Sequence, residues 1–514
     1  MNNSGYTIGV DMGTTSTKAV LFTQTGEVVA KHAVTYPLCR PTPTAAEQNP
    51  QEIFAAVITT VKSIVNHSGI DPEQIICLGF SSAMHSLIAL DSEDNLLSQS
   101  ITWADNRSEK WAAKIREEYD ALAIYQRTGT PVHSMSPLSK IVWLREEKPE
   151  LFAQTAKFIS IKEYVFHRLF GIYVVDHSIA AATGLLNLAS LDWDQKALAI
   201  AGITPDKLSQ LVPTTHILPQ LQTRCALSMG IPAKTPTVIG ASDGVLSNLG
   251  VGAIEPGIVA VTVGTSGAIR AMVDKPILDP QGRLFCYPLT EKQWVLGGAV
   301  NNGGIILRWL RDHLADSEIA TARLLKEDAY TMLTAIAQTV PAGAEGLIFH
   351  PYLAGERAPL WDANARGSFF GLSLQHGKAH LIRAVLEGVV YNLYLVLTAL
   401  EETMGEAKSI RATGGFSRSE LWRQMLSDVL QREVTVPESY ESSCLGAVIL
   451  GLYALGKVPS LAVVKEMIGE TNRHQPIAEN VANYQKVIPV YCGLLEVFQE
   501  QYGAISQLQA KLSS

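Results

Sequence analysis

Two segments of this chain share one layout: "VDMGTTSTKAVLF", residues 10–22, and "VTVGTSGAIRAMV", residues 261–273, each pass from an apolar strand through a Gly-Thr-(Thr)-Ser turn into a second strand. Recurrence at roughly 250 residues predicts two structurally related halves, each built around one such hairpin. The boundary is expected near "LGVGAIEPG", residues 249–257, where glycine, proline and one charge interrupt the apolar runs. That gives an N-terminal domain at 1–252 and a C-terminal domain at 253–514. A chain of 514 residues, 47% apolar and 18% charged, is too long for one core and apolar enough to fill two or three.

Within the first half, "EVVAKHAVTY" reads as a strand. "NPQEIFAAVITTVKSIVNHSG" reads as a helix with Asn49 as N-cap, Pro50 at its first position, and Ile53, Val57, Ile58, Val61, Ile64 and Val65 on one face. "IICLGFSS" then reads as a buried strand. The resulting strand-strand-strand-helix-strand order predicts a mixed sheet covered by helices, hence an α/β class. Later, "TPTVIGASDG" and "KSIRATGG" read as strands ending in turns, "LIFHPYL" as a strand and "SELWRQMLSDVL" as a helix.

Charge and cysteines narrow the partners. The net charge of −8 is spread along the chain with no basic run, so neither nucleic acid nor an anionic membrane is expected, and small molecules are. Cys39, Cys77, Cys225, Cys286, Cys444 and Cys492 form no CxxC pair or zinc-like cluster and read as buried thiols of a reducing, cytoplasmic compartment. The start "MNNSGYTIGVD" has no cationic segment followed by an apolar one, and no apolar stretch approaches eighteen residues, so neither targeting nor membrane spanning is expected.

The hydroxyl-rich turns are more polar than a hairpin requires. A glycine-hydroxyl turn offers several backbone N–H groups to one side, a nest for phosphate oxygens. For a single copy, a merely tight turn whose threonines satisfy their own backbone is the favoured reading. Two copies, one preceded by Asp11, favour phosphate, because a carboxylate at a buried strand end is costly without a cation or proton donor. Magnesium held beside phosphates would be such a partner. No GxxxxGK[ST] or strand-to-helix GxGxxG loop occurs, which leaves the P-loop and dinucleotide routes without support.

Two further turns carry chemistry. "VIGASDG", residues 238–244, delivers Asp243 to a sheet edge among small residues, where it could take the proton of an attacking hydroxyl; the alternative is an aspartate capping a helix. "RATGGFSRSELWRQM", residues 411–425, puts Gly414 and Gly415 between a strand and a helix, where a base or ribose could approach the backbone, or where a tight turn alone needs them.

Together "DMGTTSTK", "GASDG", "VTVGTSGAI" and "ATGGFSRS" resemble, in order and spacing, the FGGY carbohydrate kinases. Two longer segments strengthen the resemblance: "MSPLSKIVWLREE", with Pro137, Lys140 and Trp143, and "GSFFGLSLQHGKAHLIRAVLE", ending at Glu387. The resemblance implies an α/β fold of two actin-like ATPase (ribonuclease-H-like) domains with a cleft between them, and ATP and Mg2+ as cofactors. It implies that Asp11 organises the metal, with Asp243 close to it, and that Gly13, Thr14, Thr15 and Lys18 meet the phosphates. Asp243 is the implied general base. Gly264, Thr265 and Ser266 are the implied second phosphate clamp, and Gly414, Gly415 and Ser419 the implied adenosine site; some relatives carry asparagine where this chain has Ser419.

The acceptor pocket is implied in "SSAMHS", residues 81–86, and "WADNRS", residues 103–108, through Met84, His85, Asp105, Arg107 and Asp243. These turns, with "ISIKEYVFHRLFG" and "VVDHSIAAATGLLNL", are most similar to gluconate-phosphorylating members, which implies transfer of phosphate from ATP to D-gluconate. An acid substrate calls for a cation or a cluster of donors. Arg107 is the first candidate, His85 the second and Lys162 the third; Arg107 pairing with Asp105 or Glu109, a satisfied core His85 and a solvated Lys162 are the respective alternatives. "HPYLAGERAPLWD" places Glu356 and Arg357 as braces of the pocket wall. A neutral ketose or polyol is the competing substrate class, an actin-like or heat-shock-type ATPase the competing function, and a homodimer the assembly common among relatives.

Overall fold

The computed structural model describes residues 5–437, 441–469 and 471–512. They form two compact units, each discontinuous in sequence. The first comprises Met1–Ile254, Met272–Leu296 and Glu441–Gly469, the second Glu255–Ala271, Gly297–Tyr440 and Glu470–Ser514. One crossing, after Ile254, lies within the 249–257 stretch; the two later returns to the first unit follow no glycine-proline signal of that kind.

In the first unit, β1 (Tyr6–Met12), β2 (Ser16–Thr23), β3 (Val28–Thr35), β4 (Ile75–Ser82) and β5 (Thr237–Ser242) form a five-stranded sheet in the order β5-β4-β1-β2-β3. β1, β2 and β3 are antiparallel, while β4 runs parallel to both β1 and β5. One face is closed by the helix Pro50–Ser68. Asn49 caps it, its side chain accepting from the Gln51 amide at 2.9 Å, and Gly69 at φ 69° ends it. Its Ile53, Val57, Val61 and Ile64 pack with Ile8, Val10, Ala19 and Leu21 of the sheet, each large side chain contributing about 1.5–3 kcal/mol by leaving water.

Strand residues alternate faces, so Gly9 of β1 and its register neighbour Gly79 of β4 point the other way. There the helix Ser442–Ala454 lies almost on the sheet backbone: a Cβ on Gly9 would meet the Cys444 carbonyl oxygen at 2.3 Å, and one on Gly79 the Ala447 oxygen at 2.4 Å. Only glycines at these two neighbouring positions admit the helix.

In the second unit β7 (Gly267–Val273), β6 (Ile258–Val263), β8 (Ser409–Thr413), β9 (Val434–Pro437) and β10 (Thr471–His474) lie side by side in that order. β6 and β7 form an antiparallel hairpin, and β8 runs parallel to β6. The β1–β2 hairpin with parallel β4 has the same arrangement, so the sequence echo is a repeat of structure. Lys378–Met404 is the one helix among the described residues long and apolar enough to cross a membrane, and 78% of its apolar window is buried within the protein. It is a core helix, and its buried Glu387 is held by Arg383 at 2.6 Å and by the Tyr391 and Tyr484 hydroxyls.

All six cysteines are free thiols. Four are buried as expected, but Cys39 is exposed and Cys492 half-buried. Cys39 follows β3 in an irregular segment joined to Glu47 by a single bridge, which leaves it outside the core.

Candidate active site

Asp11 is the penultimate residue of β1, and the turn Gly13–Thr15 follows its end at Met12. Every carbonyl of this turn is taken by the protein behind it. Gly13 O accepts from the Tyr36 hydroxyl (2.7 Å), Thr14 O from the Gln48 side-chain amide (2.6 Å) and Thr15 O from the Tyr36 amide (3.3 Å). Because peptide groups are planar and trans, inward carbonyls aim the following N–H groups outward, as an anion nest requires. The Thr14 hydroxyl accepts from the indole nitrogen of Trp103 at 2.8 Å.

The second unit uses the same device. Gly264 O and Thr265 O accept from the amides of Gly304 (2.7 Å) and Ile305 (3.1 Å), the first turn of the helix Gly304–Leu314, and Ser266 O accepts from Gly264 N at 2.8 Å. Gly303 must be glycine here, since its Cβ would lie 2.6 Å from Ser266 O. The preceding asparagines are fixed by buried Glu356, which accepts from the Asn301 amide (2.5 Å), the Asn302 side chain (3.0 Å) and the Asn392 side chain (2.7 Å). Burial raises the Glu356 pKa, and the Asn302, Asn301 and Arg357 contacts oppose it. Gly414, at φ 107°, lies so close to β6 that a Cβ would meet Val263 O at 2.4 Å. Ser419 caps the helix Glu420–Leu430, its hydroxyl accepting from the Trp422 amide at 3.3 Å.

Returning to the first unit, the Ser81 hydroxyl donates to Asp11 Oδ1 at 2.6 Å; burial raises the carboxyl's pKa, with the Ser81 bond and Lys18 pulling it down. Lys18 stands opposite Asp11 in β2 and is bound to Glu441 at 2.7 Å, so its charge is shared between the two carboxylates. Asp243 is the first residue of the helix Asp243–Gly250, directly after β5, and its Oδ1 accepts from the Gly244 amide at 2.6 Å. Asp11 pairs with Ser81, and Ser81 with Ala241. Asp11 and Asp243 therefore leave the same carboxyl edge of the sheet two strands apart, about 10 Å at the backbone. Ligands of open α/β sheets bind outside that edge.

The end of β5 is pinned from below. Lys162 is fully buried and donates to Asp176 at 2.7 Å and to Ala241 O at 3.2 Å, while the Ser178 hydroxyl donates to Ser242 Oγ at 2.9 Å. This corrects the third candidate for an acid substrate: Lys162 is a buried half of an ion pair that holds the strand carrying Asp243.

One pocket brings Gly13 and Thr14 together with Met84, Gln48, Thr102 and Trp103. Met84 thus lines it. His85 is buried at φ 67°, its Nδ1 donating to Ala182 O at 2.7 Å. Arg107 differs most from its expectation as a cation open to substrate. Its guanidinium binds Asp105 (Nε to Oδ2, 2.9 Å) and Glu47 (2.5 Å) and lies 4.6 Å from the Trp143 ring centre. Asp105 is itself buried and also accepts from the Ala46 amide at 2.8 Å. The pairing with Asp105 left open by the sequence is present, with Glu47 in place of Glu109. Gln48 and Trp103 were missed. Trp103 had a signal, standing in the quoted "WADNRS" as an aromatic next to the pocket turn, whereas Gln48 had none.

The residues fit magnesium. Among the described residues no group of three or more His, Cys, Asp or Glu could cage a metal, and Asp11 offers a single hard carboxylate beside the turn Gly13–Thr15. Magnesium commonly takes one or two carboxylates, completing its shell with water and substrate phosphates.

The comparisons with known proteins agree over the whole chain. The model "FGGY family of carbohydrate kinases, N-terminal domain" matches residues 6–250, and the corresponding C-terminal domain model matches residues 259–455. The chain is 57% identical over 511 residues to a Bacillus subtilis (strain 168) protein named gluconokinase, covering 99% of each. Crystal structures titled gluconate kinase and ligand-bound xylulose kinase, both from Lactobacillus acidophilus, each superpose with a TM-score of 0.91 at 40% identity, covering 98% of this chain and 99% and 100% of theirs. With both halves matched in order, the chain belongs to the FGGY family of carbohydrate kinases.

Proposed function

We propose that this chain transfers the terminal phosphoryl group of ATP to a primary hydroxyl of D-gluconate, giving 6-phospho-D-gluconate. The observation that carries the substrate is end-to-end identity of 57% with relatives named gluconokinase; the xylulose kinase of Escherichia coli (strain K12) is 29% identical.

In this reading the sugar acid lies between Met84 and Trp103, with its reacting hydroxyl near Asp243. Asp243 accepts the hydroxyl proton as the new O–P bond forms and the bond to the departing ADP breaks. The outward amides of Thr14 and Thr15, in the turn that Gly13 closes through its amide on Ser16 O, bind the terminal phosphate oxygens, and the turn of Gly264, Thr265 and Ser266 binds further phosphate oxygens. Gly414 and Gly415 admit the nucleoside, with Ser419 close by. Asp11, together with Asp243, would hold magnesium through water, and bound magnesium supplies charge neutralisation between the phosphates. Arg107 and Asp105 brace the segment that carries Trp103, and His85, its ring held by Ala182 O, fixes the backbone next to Met84. The free thiols support a reducing, cytoplasmic setting.

The test is an ADP-release assay over gluconate, other aldonates, xylulose, ribulose and glycerol, with products identified by mass. Gluconate is expected to have the highest kcat/KM and to yield a monophosphate. A higher kcat/KM for a ketose or polyol would replace the substrate, and ADP release without a phosphorylated product would replace the function.

A further inference from the structure

The helix Pro137–Glu147 carries a buried cation that phosphoryl transfer does not use. Lys140 is 0% exposed. Its Nζ donates to His85 O at 2.6 Å, Thr102 O at 2.8 Å and Ile101 O at 3.3 Å. An ammonium has three N–H groups, and here all three go to backbone carbonyls of the two acceptor loops. One of these follows β4 and contains Met84; the other leads into Trp103. Leu87 and Ile101 already exchange two backbone bonds of 2.9 Å, so the loops are zipped on that side. At His85, two residues earlier, the backbone stands at φ 67°, a left-handed conformation unfavourable for histidine.

Lys140 holds the carbonyl of this strained residue, and Ala182 O holds its ring. A buried ammonium is costly unless its protons are satisfied, and burial pushes this one down to about 7, with Asp105 opposing the shift and Arg107 adding to it. An apolar side chain of equal length would fill the space. What it would lack is a single point that ties three carbonyls from two loops.

We propose that Lys140 is a positioning residue for the acceptor pocket, its ammonium locking the loop of Met84 and His85 to the loop of Trp103 so that both meet the sugar in one fixed register. The proposal rests on the acceptor-pocket reading above. It is tested by steady-state kinetics of wild type and Lys140→Met with whichever acceptor the wild type phosphorylates best. A substrate other than gluconate would then overturn the substrate assignment and still leave Lys140 tested.

The expected result is an acceptor KM raised at least tenfold with the ATP KM within twofold of wild type. An unchanged acceptor KM, or a parallel rise in both, overturns the proposal. If Lys140→Met fails to fold, Lys140→Arg, which keeps charge and several donors, should stay within fivefold of the wild-type acceptor KM; a parallel rise in both KM values overturns the proposal here too. Wild-type hydrogen exchange gives an independent reading: without acceptor, amides of residues 86–87 and 101–103 should exchange as slowly as those of β4. Exchange as fast as in the exposed turn at 92–95 would overturn the clamp.

Discussion

The indole nitrogen of Trp103 donates a 2.8 Å hydrogen bond to the hydroxyl of Thr14, joining the loop of Trp103 to the turn Gly13–Thr15. Gln48 fixes the same threonine through its carbonyl. A hydrogen bond of this kind is worth about 0.5–1.5 kcal/mol net. Trp103→Phe and Thr14→Val should each lower kcat/KM for the acceptor by roughly 3- to 10-fold, the range that energy spans. The double variant should lose little more than either single one, because both remove the same bond. Fully multiplicative losses in the kinetic cycle would show that the bond does not couple the loops.

Asp243→Asn keeps the shape of the side chain and removes its basicity. Its kcat should fall by about 10²- to 10⁴-fold, while ATP binding followed by calorimetry stays within a few-fold of wild type. Turnover near the wild-type value, with the phosphorylated product confirmed by mass, would remove Asp243 from the mechanism.

Arg107 neutralises Asp105, which is buried, and Glu47. Arg107→Ala leaves Asp105 without its cation, and breaking a buried pair of this kind costs about 3 kcal/mol or more. Melting temperature should therefore drop, and kcat/KM should fall by a similar factor for gluconate and for any neutral acceptor used. Loss confined to aldonates, with stability unchanged, would instead mean that Arg107 reaches the substrate carboxylate directly.

His350 gives the fold an acid limit. Buried and stacked on Tyr491, it donates from Nε2 to Tyr491 O at 3.1 Å, and burial lowers its pKa from 6.5 to about 4. Between these values the unfolded chain binds the proton and the folded one does not, so stability falls as pH drops from 6.5 towards 4. The full change is on the order of 3 kcal/mol, and above pH 6.5 the term is constant. Urea unfolding at pH 7 and pH 5 should show a smaller difference for His350→Gln than for wild type. Equal differences would exclude His350 as the source.

What the sequence disclosed was local. Asn49, Pro50 and Gly69 bound their helix because caps act on their own neighbours, and both hairpins were legible from strand-turn-strand order. "IICLGFSS" coincides with β4, residue for residue. What stayed hidden depended on partners far along the chain. Glu47, sixty positions from Arg107, claims the guanidinium expected to be open. Gln48 reaches Thr14 across thirty-four positions, and no periodicity marks a lone glutamine. Lys162 read as a third candidate cation for an acid substrate, or as a solvated lysine, because Asp176 beside it becomes its ion-pair partner only after folding. Nothing nearby in the sequence marks Gly9 and Gly79 as points of close approach, since the helix they admit begins at Ser442.

That late helix affects how the protein is made. On the ribosome β5 emerges roughly 200 residues before Ser442–Ala454. At roughly 5–20 residues per second the first sheet waits about 10 to 40 s with its glycine face bare. A fragment stopped at residue 254 should consequently precipitate, whereas one carrying 441–469 on a flexible tether should stay in solution, with sedimentation as the readout; equal solubility would show that the sheet tolerates the wait. Until that distant segment arrives, the nascent N-terminal half has no helix of its own to lay over Gly9 and Gly79.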